Sequence, residues 1–321
     1  MDRSFIHNPD SEVLIIGEEE EGLRIDVLLR QRYPHHSRTY FQTLIEDGFV
    51  LLNGHPIKKR VVPIEGDEIE VCFQLTPELS LAPESIPLDI LYEDEHLIAV
   101  NKPVGLVVHP APGHWSGTFV NALLGHCENL PLSDHLRPGI VHRLDKQTSG
   151  VLIAAKTTRA HQLLIEQFSQ REIEKVYLAI CIGRPANGTV SAPIGRHPVH
   201  RKEMTVLPDG KEAITDIKVL AFHQNLSLVL AKPKTGRTHQ IRVHLKHLGA
   251  PVLGDEIYGS SRANETLQAH RQLLHAYQLR LRHPISGASL QFTAPLPADF
   301  KHFLQQLCGS SLCQSELGSN V

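Results

Sequence analysis

The sequence predicts an α+β protein in two unequal domains, the larger built on a mixed, mainly antiparallel sheet. Three observations lead there. The chain has 321 residues, 41% of them hydrophobic, which gives apolar content enough for one large domain or two unequal ones. Apolar runs of strand length outnumber helical patterns, and the two do not alternate as a doubly wound parallel sheet requires. A compact helix-helix-sheet pattern precedes a proline-bearing stretch, so the smaller domain comes first.

Taken in order, residues 1–21 hold seven acids (Asp2, Asp10, Glu12, Glu18, Glu19, Glu20, Glu21) against Arg3 and read as an acidic leader. In 23–32, Leu23, Val27 and Leu28 recur at helical spacing. A second helix opens at Ser37, an N-cap after Pro34, with Tyr40, Phe41, Leu44 and Ile45 on its apolar face. Gly48 ends that helix. Residues 49–52, the turn Asn53-Gly54 and the stretch 67–73 then form a small sheet. This unit, 22–75, is basic in its first half, with Arg24, Arg30, Arg32, Arg38, Lys58, Lys59 and Arg60 against Asp26, Glu46 and Asp47. Pro77, Pro83 and Pro87 mark 76–87 as a linker.

The large domain spans 88–307 and a tail spans 308–321. Strands are expected at 97–101, 150–155, 175–182, 205–207, 214–222 and 226–231, and helices at 118–127, 159–169, 237–248 and 297–307. Leu207-Pro208-Asp209-Gly210-Lys211 reads as the turn of a hairpin.

The formal charge of −3 conceals an uneven distribution, because the leader alone carries −6 and the remaining 300 residues +3. Between Asp216 and Asp255 there is no acid, while Lys218, Lys232, Lys234, Arg237, Arg242 and Lys246 are all positive. Such a window repels itself unless an anion lies against it. Two basic regions therefore point to a nucleic acid.

No apolar run approaches the roughly 18 residues that cross a bilayer, and the acidic N-terminus lacks the pattern of a signal peptide. Five cysteines without a C-x-x-C pair read as reduced thiols of a cytoplasmic protein, although Cys308 and Cys313 could bind metal or oxidise. There is no phosphate loop, dinucleotide fingerprint, H-E-x-x-H or G-x-S-x-G, so nucleotide hydrolysis, nicotinamide chemistry and serine hydrolysis lose their usual support. His244 and His247 sit three apart, but no carboxylate stands near them, and no metal site is expected.

Three segments combine turn formers and charge beside short strands: Asn101-Lys102-Pro103-Val104-Gly105 through Pro110; His142-Arg143-Leu144-Asp145 with Thr148-Ser149-Gly150; and Gly236-Arg237-Thr238-His239-Gln240-Ile241-Arg242. Followed by Gly254-Asp255-Glu256-Ile257-Tyr258-Gly259, this ordered set resembles the RluA-type pseudouridine synthases. The small N-terminal unit looks like an S4 RNA-binding domain, matched through Arg24-Ile25-Asp26, Ser37-Arg38 and Val50-Leu51-Leu52-Asn53-Gly54.

The resemblance implies an isomerase that breaks the N1–C1′ bond of a uridine, turns the uracil and rejoins C5 to C1′. By the same resemblance Asp145 is the nucleophile, Arg242 its ion-pair partner and Tyr177 the active-site tyrosine, which stacks on the uracil and could help remove the C5 proton. Arg143 is placed to fill the space left by the flipped base or to hold the backbone. His142, Asn101 and Lys102 shape the pocket wall, Ile241 forms a floor, and Arg237, His239, Arg24 and Arg38 contact RNA. No cofactor is implied. The expected partner is RNA, foremost large-subunit ribosomal RNA and alternatively transfer RNA, with a monomer as the default.

Read without the resemblance, Asp145 could be a structural ion pair with Arg143 or Lys146, Tyr177 a core residue and Arg242 a surface residue. A silent RNA-binding protein and a carboxylate glycoside hydrolase are the alternatives. The second needs another acid about 5–10 Å away, where the sequence offers bases.

Overall fold

The computed structural model describes residues 11–34, 36, 38–73, 82–109, 116–127, 130–131, 138–200 and 203–307. Ser37, the acids before residue 11, Cys308 and Cys313 lie outside them. The chain divides into two compact units, residues 1–80 and 81–321. Among the described residues no helix is long and apolar enough to cross a membrane.

The first unit runs β1 (Ser11–Ile15), α1 (Ile25–Arg32), α2 (Arg38–Glu46), β2 (Val50–Leu52), β3 (His55–Pro56) and β4 (Glu68–Cys72). Its antiparallel sheet has the order β1-β4-β2-β3, with β2 and β3 joined at the expected Asn53-Gly54 turn. Ile25, Leu28 and Leu29 of α1 meet Phe41, Leu44 and Ile45 of α2 over Val50, Ile69 and Val71, so both helices bury the faces their spacing gave them.

One boundary differs from the sequence reading. Residues 11–15, grouped by charge with the leader, pair with β4 from Ser11↔Cys72 to Ile15↔Glu68. The neighbouring acids are engaged as well. Arg32 donates to both oxygens of Glu20 at 2.6 and 2.8 Å, and Tyr33 Oη donates to Glu12 at 2.7 Å. Net charge masked a short edge strand, because charged residues beside strand formers are what an exposed edge carries.

The second unit runs β5 (Ile90–Glu93), β6 (Leu97–Lys102), α3 (Phe119–His126), β7 (Ser149–Ala155), α4 (Thr158–Ser169), β8 (Glu174–Ile182), β9 (Gly188–Ser191), β10 (Ile194–Arg196), β11 (Met204–Val206), β12 (Ile214–His223), β13 (Leu226–Pro233), α5 (Gln240–His247), α6 (Ser261–Thr266), β14 (Leu274–Arg282) and β15 (Ser289–Thr293). A further helix covers 298–307. Among the described residues the main sheet has nine strands in the order β5-β6-β7-β14-β8-β13-β12-β9, with β15 also on β14. Only β7 and β14 pair in parallel; the other pairs are antiparallel.

Alternation along β8 divides the core between its two faces. Val176, Leu178 and Ile180 pack with Leu228, Leu230, Phe300 and Phe303. Ala179 and Cys181, with Tyr177 beside them, pack with Val229, Ala231 and α5 through Ile241 and Leu245. The face that holds Tyr177 is therefore the face under α5.

The expected turn after β11 forms, with Gly210 N donating to Leu207 O at 3.0 Å, but it does not join a hairpin of β11 and β12. β11 pairs instead with β10, and Lys211 bridges back to Ile194.

β14 was not expected, and it is the strand that ties the site together. Its buried His275 and Gln278 interrupt the apolar alternation that would have revealed it. Across the sheet Gly150, Ala276, Tyr177 and Ala231 stand in one row. Gly150 is required there: its φ is +113°, and a Cβ would lie 2.2 Å from Ala276 O.

Candidate active site

That row brings the start of β7, the start of β8 and the end of β13 together, and the loops leaving them line one cleft of about 510 Å³. The loop before β7 supplies His142, Arg143 and Asp145, β8 supplies Lys175 and Tyr177, and 234–239 leads into α5 with Ile241 and Arg242.

Asp145 sits in a turn closed by Thr148 N donating to Asp145 O at 3.0 Å. The loop is tied down from below. Lys146 O accepts from Gly105 N at 2.9 Å and Lys102 Nζ at 3.2 Å, Gln147 O from Arg271 at 3.2 Å, and Thr148 Oγ1 from Gln272 at 2.8 Å. Lys102 is fully buried, and its Nζ also donates to Pro103 O and Leu106 O at 2.8 and 2.9 Å. Burial, reinforced by Arg271 and opposed by Asp145, lowers its pKa to about 7. Lys102 thus braces the Asp145 loop instead of forming a pocket wall.

Arg242 is 4% exposed and joins two aspartates. Its Nη1 donates to Asp145 Oδ2 at 2.9 Å, while Nε and Nη2 donate to Asp255 at 2.7 and 2.9 Å. Its guanidinium lies 5.0 Å from the centre of the Tyr258 ring. Burial opposes the Arg242 charge, but the hydrogen bonds and charges of Asp255 and Asp145 outweigh it and raise the pKa above the ordinary arginine value. For Asp255, burial likewise opposes ionisation and the Arg242 hydrogen bond and charge overcome it, so its carboxyl is held below the usual range.

Asp255 was a motif residue without an assigned role. It is a second acid near Asp145, where bases alone were expected, but it accepts from Arg242 twice and from the amides of Ile257 and Tyr258, both at 3.0 Å. Fully buried and saturated, it cannot serve as the second carboxylate of a hydrolase. Gly254 permits the fold there: at φ +78°, a Cβ would lie 1.8 Å from Arg271 O.

Asp145 keeps a different profile, with Oδ2 on Arg242 and Oδ1 having, among the described residues, only His239 Nε2 at 3.9 Å, the side chain being 20% exposed. His239 adopts a left-handed conformation before α5 (φ 57°, ψ 18°). Tyr258 Oη accepts from Met204 N at 2.8 Å, which leaves its own proton for His239 Nδ1 at 2.9 Å and sets the tautomer with Nε2–H toward Asp145. Burial lowers the His239 pKa against the pull of Asp145.

Tyr177 Oη has no hydrogen-bond partner among the described residues, and burial followed by the charge of Asp145 pushes its pKa up. A phenol so placed stays protonated at neutral pH and is a poor base. His142 accepts from Ile153 N at 3.0 Å and stacks on Phe168 at 5.0 Å; burial and Lys175 lower its pKa to about 3, so the ring is neutral. Arg143 is exposed beside the cleft, without an ion pair among the described residues. Arg237 donates to Glu212 O at 2.8 Å.

Other predicted residues are placed elsewhere. Asn101 donates to Asp89 at 2.8 Å on the surface and does not line the cleft. In the first unit Arg24 and Arg38 both bind the fully buried Asp26, Arg24 through two bonds of 3.1 Å and Arg38 through one of 2.8 Å. The acid-free window is also balanced by distant sequence: Lys232 pairs with Glu174 at 2.7 Å and Lys234 with Asp216 at 3.1 Å.

His244 is no metal ligand, since its ring nitrogens bond Thr215 Oγ1 and Ala192 O at 2.9 and 3.0 Å. Glu93, His126 and Cys127 bring ligand atoms within 4.8 Å of one another, but Glu93 is already bound by Lys156 at 2.6 Å and His126 at 2.8 Å.

Residues 96–247 match the family model of RNA pseudouridylate synthases, and residues 23–69 match that of the S4 domain. The chain is 42% identical over 294 residues to an uncharacterized RNA pseudouridine synthase of Bacillus subtilis, covering 91% of this chain and 96% of that protein. It is 39% identical over 314 residues to ribosomal large subunit pseudouridine synthase D of Xanthomonas campestris, covering 94% of each. Among solved structures, human RNA pseudouridylate synthase domain containing 1 aligns with a TM-score of 0.55 and 28% identity, over 74% of this chain and 97% of that one. Human RNA pseudouridylate synthase domain containing 4 aligns at 0.53 and 29%, over 68% and 92%.

Proposed function

The chain belongs to the RNA pseudouridine synthase family, and from that premise we propose that it isomerises uridines of large-subunit ribosomal RNA with Asp145 as the nucleophile. The observation that carries this reading is the half-engaged carboxylate. Arg242 fixes Asp145 through one oxygen, while the carboxylate lines the cleft with the other.

Extruding a uridine from its stack costs a few kcal/mol. Arg143, exposed beside the cleft and without an ion pair among the described residues, is available to occupy the vacated place or to hold the backbone. Ile241 and Tyr177 then enclose the uracil, Tyr177 by stacking, because its raised pKa disfavours proton abstraction. The Asp145 oxygen attacks the nucleotide as the N1–C1′ bond breaks, the uracil turns, and C5 joins C1′ as the bond to Asp145 is released. C5 then gives up its proton to water and N1 ends protonated, so the net change is an isomerisation and the carboxylate is regenerated. The carboxylate supplies the covalent step without a metal or organic cofactor, and one protomer suffices.

The S4 unit gives a second contact with structured RNA, so affinity falls as salt rises. Ribosomal RNA is favoured over transfer RNA by the several relatives named as large-subunit enzymes. The test is to map pseudouridines in total RNA from cells lacking the protein and from the same cells carrying wild type or Asp145→Asn. Sites in large-subunit rRNA should vanish and return with wild type alone. Loss confined to transfer RNA would replace the substrate, and restoration by Asp145→Asn would remove Asp145 from the mechanism.

A further inference from the structure

Three of the six lysines and arginines that line the cleft are already balanced. Arg171 pairs with Glu212, Lys234 with Asp216, and Arg242 with two aspartates. Lys175 differs. It is half-buried in the cleft wall, has no acid partner among the described residues, and makes one long contact of 3.4 Å to Thr235 O. The charges that act on it are those of the cations Arg171 and Lys234, which line the same cleft. A partly desolvated ammonium in that setting destabilises the free protein, and a neutral side chain of the same length would cover the apolar wall without this cost.

We propose that Lys175, with Arg171 and Lys234 beside it, forms a subsite for one phosphodiester group of the RNA, separate from the Asp145 carboxylate. The inference rests on the RNA-modifying reading and adds where the backbone of the substrate is held. Lys175 is two residues from Tyr177 on β8, so its Cα is roughly 7 Å away on the same face. The subsite therefore adjoins the space where the uracil stacks. A uracil carbonyl is neutral and needs one donor, whereas a phosphodiester carries a full negative charge and several acceptor oxygens, which suits converging cations.

The electrostatics agree. Burial, then Arg171 and Lys234, lower the Lys175 pKa to about 8, so the free protein carries this charge only in part above that pH. Of the other groups around the cleft, His142 is neutral, Tyr177 is protonated, burial lowers the His239 pKa, and Arg143, Arg237 and Arg242 contribute guanidinium groups. Asp145 is the acid of the cleft and is engaged by Arg242, while Glu174, adjacent in β8, pairs with Lys232 on the opposite face. A bound phosphate raises the Lys175 pKa, so binding takes up a proton and affinity falls as pH rises above about 8.

Two measurements on the full chain test this. The first uses inorganic phosphate and needs no RNA: lysines are ¹³C-dimethylated and the Lys175 signal is assigned by its absence in Lys175→Arg. Phosphate should move the Lys175 titration upward by about one pH unit; an unmoved titration overturns the subsite. The second uses a uridine-bearing RNA stem-loop with Asp145→Asn as background, so that binding is read without turnover. Lys175→Met should weaken binding about tenfold and lower the salt slope by roughly 0.7–0.9. Lys175→Arg should keep the affinity and abolish its alkaline decline, which a purely structural lysine would not do. Wild-type affinity and slope in Lys175→Met overturn the proposal. If no variant binds RNA, the RNA reading fails, and the phosphate titration still decides the anion site.

Discussion

Asp26 in the first unit and Asp145 in the second are both held by arginine, yet their carboxylates end in opposite states. Asp26 is fully buried and accepts from Arg24 on both oxygens, from Arg38 and from Gln42. Asp145 accepts from Arg242 on one oxygen and leaves the other toward the cleft. Asp255 is saturated like Asp26. An arginine beside an aspartate therefore does not identify a reactive group. The number of acceptor sites left open does, because a carboxylate whose lone pairs are all engaged cannot reach a substrate.

The contrast can be broken by substitution, starting with the largest expected effect. Asp145→Ala should lower single-turnover pseudouridine formation by roughly 10³-fold or more. Its folding stability should stay within about 1 kcal/mol of wild type, since Arg242 keeps Asp255. Asp255→Ala leaves the buried Arg242 with one partner. Urea unfolding should show a loss of about 3–5 kcal/mol, accompanied by reduced activity.

Asp26→Asn should cost about 1–3 kcal/mol in the first unit and leave turnover of a short stem-loop unchanged. Its Arg partners are 39% and 47% exposed, so water can take over part of their hydrogen bonding. The Asp26 pKa is lowered despite burial, because Arg38, Gln42 and Arg24 overcome it. Its stabilisation is therefore present above the unfolded carboxyl pKa and lost as pH falls. The difference between wild type and Asp26→Asn, followed by thermal melts, should shrink below about pH 4. Smallest of all, Asn101→Ala removes only a surface bond to Asp89 and should change stability by about 0.5 kcal/mol or less and activity not at all.

The same contrast explains how much the sequence could tell. The His142–Asp145 and Gly236–Arg242 segments were legible because short stretches of turn formers and charge must sit at loop edges, and α1 and α2 followed from their apolar spacing, with α3, α4 and α5 also falling within expected helices. β14 was not legible, since His275 and Gln278 are buried through bonds to Ser149 and Thr293 that only the folded sheet supplies. β1 was hidden by its acidic neighbours. Whether a carboxylate is saturated depends on residues far away in sequence. The sequence therefore did not reveal that Arg24 and Arg38 bind Asp26, and it left Asp255, in a quoted segment, and Lys175, at the start of an expected strand, without roles.

The most direct test of the open-carboxylate account is single-turnover pseudouridine formation on one RNA stem-loop by wild type, Asp26→Asn and Asp145→Asn. The account predicts near wild-type rates for Asp26→Asn and no product above background for Asp145→Asn, with both proteins folded. Product formation by Asp145→Asn at the wild-type rate would contradict it.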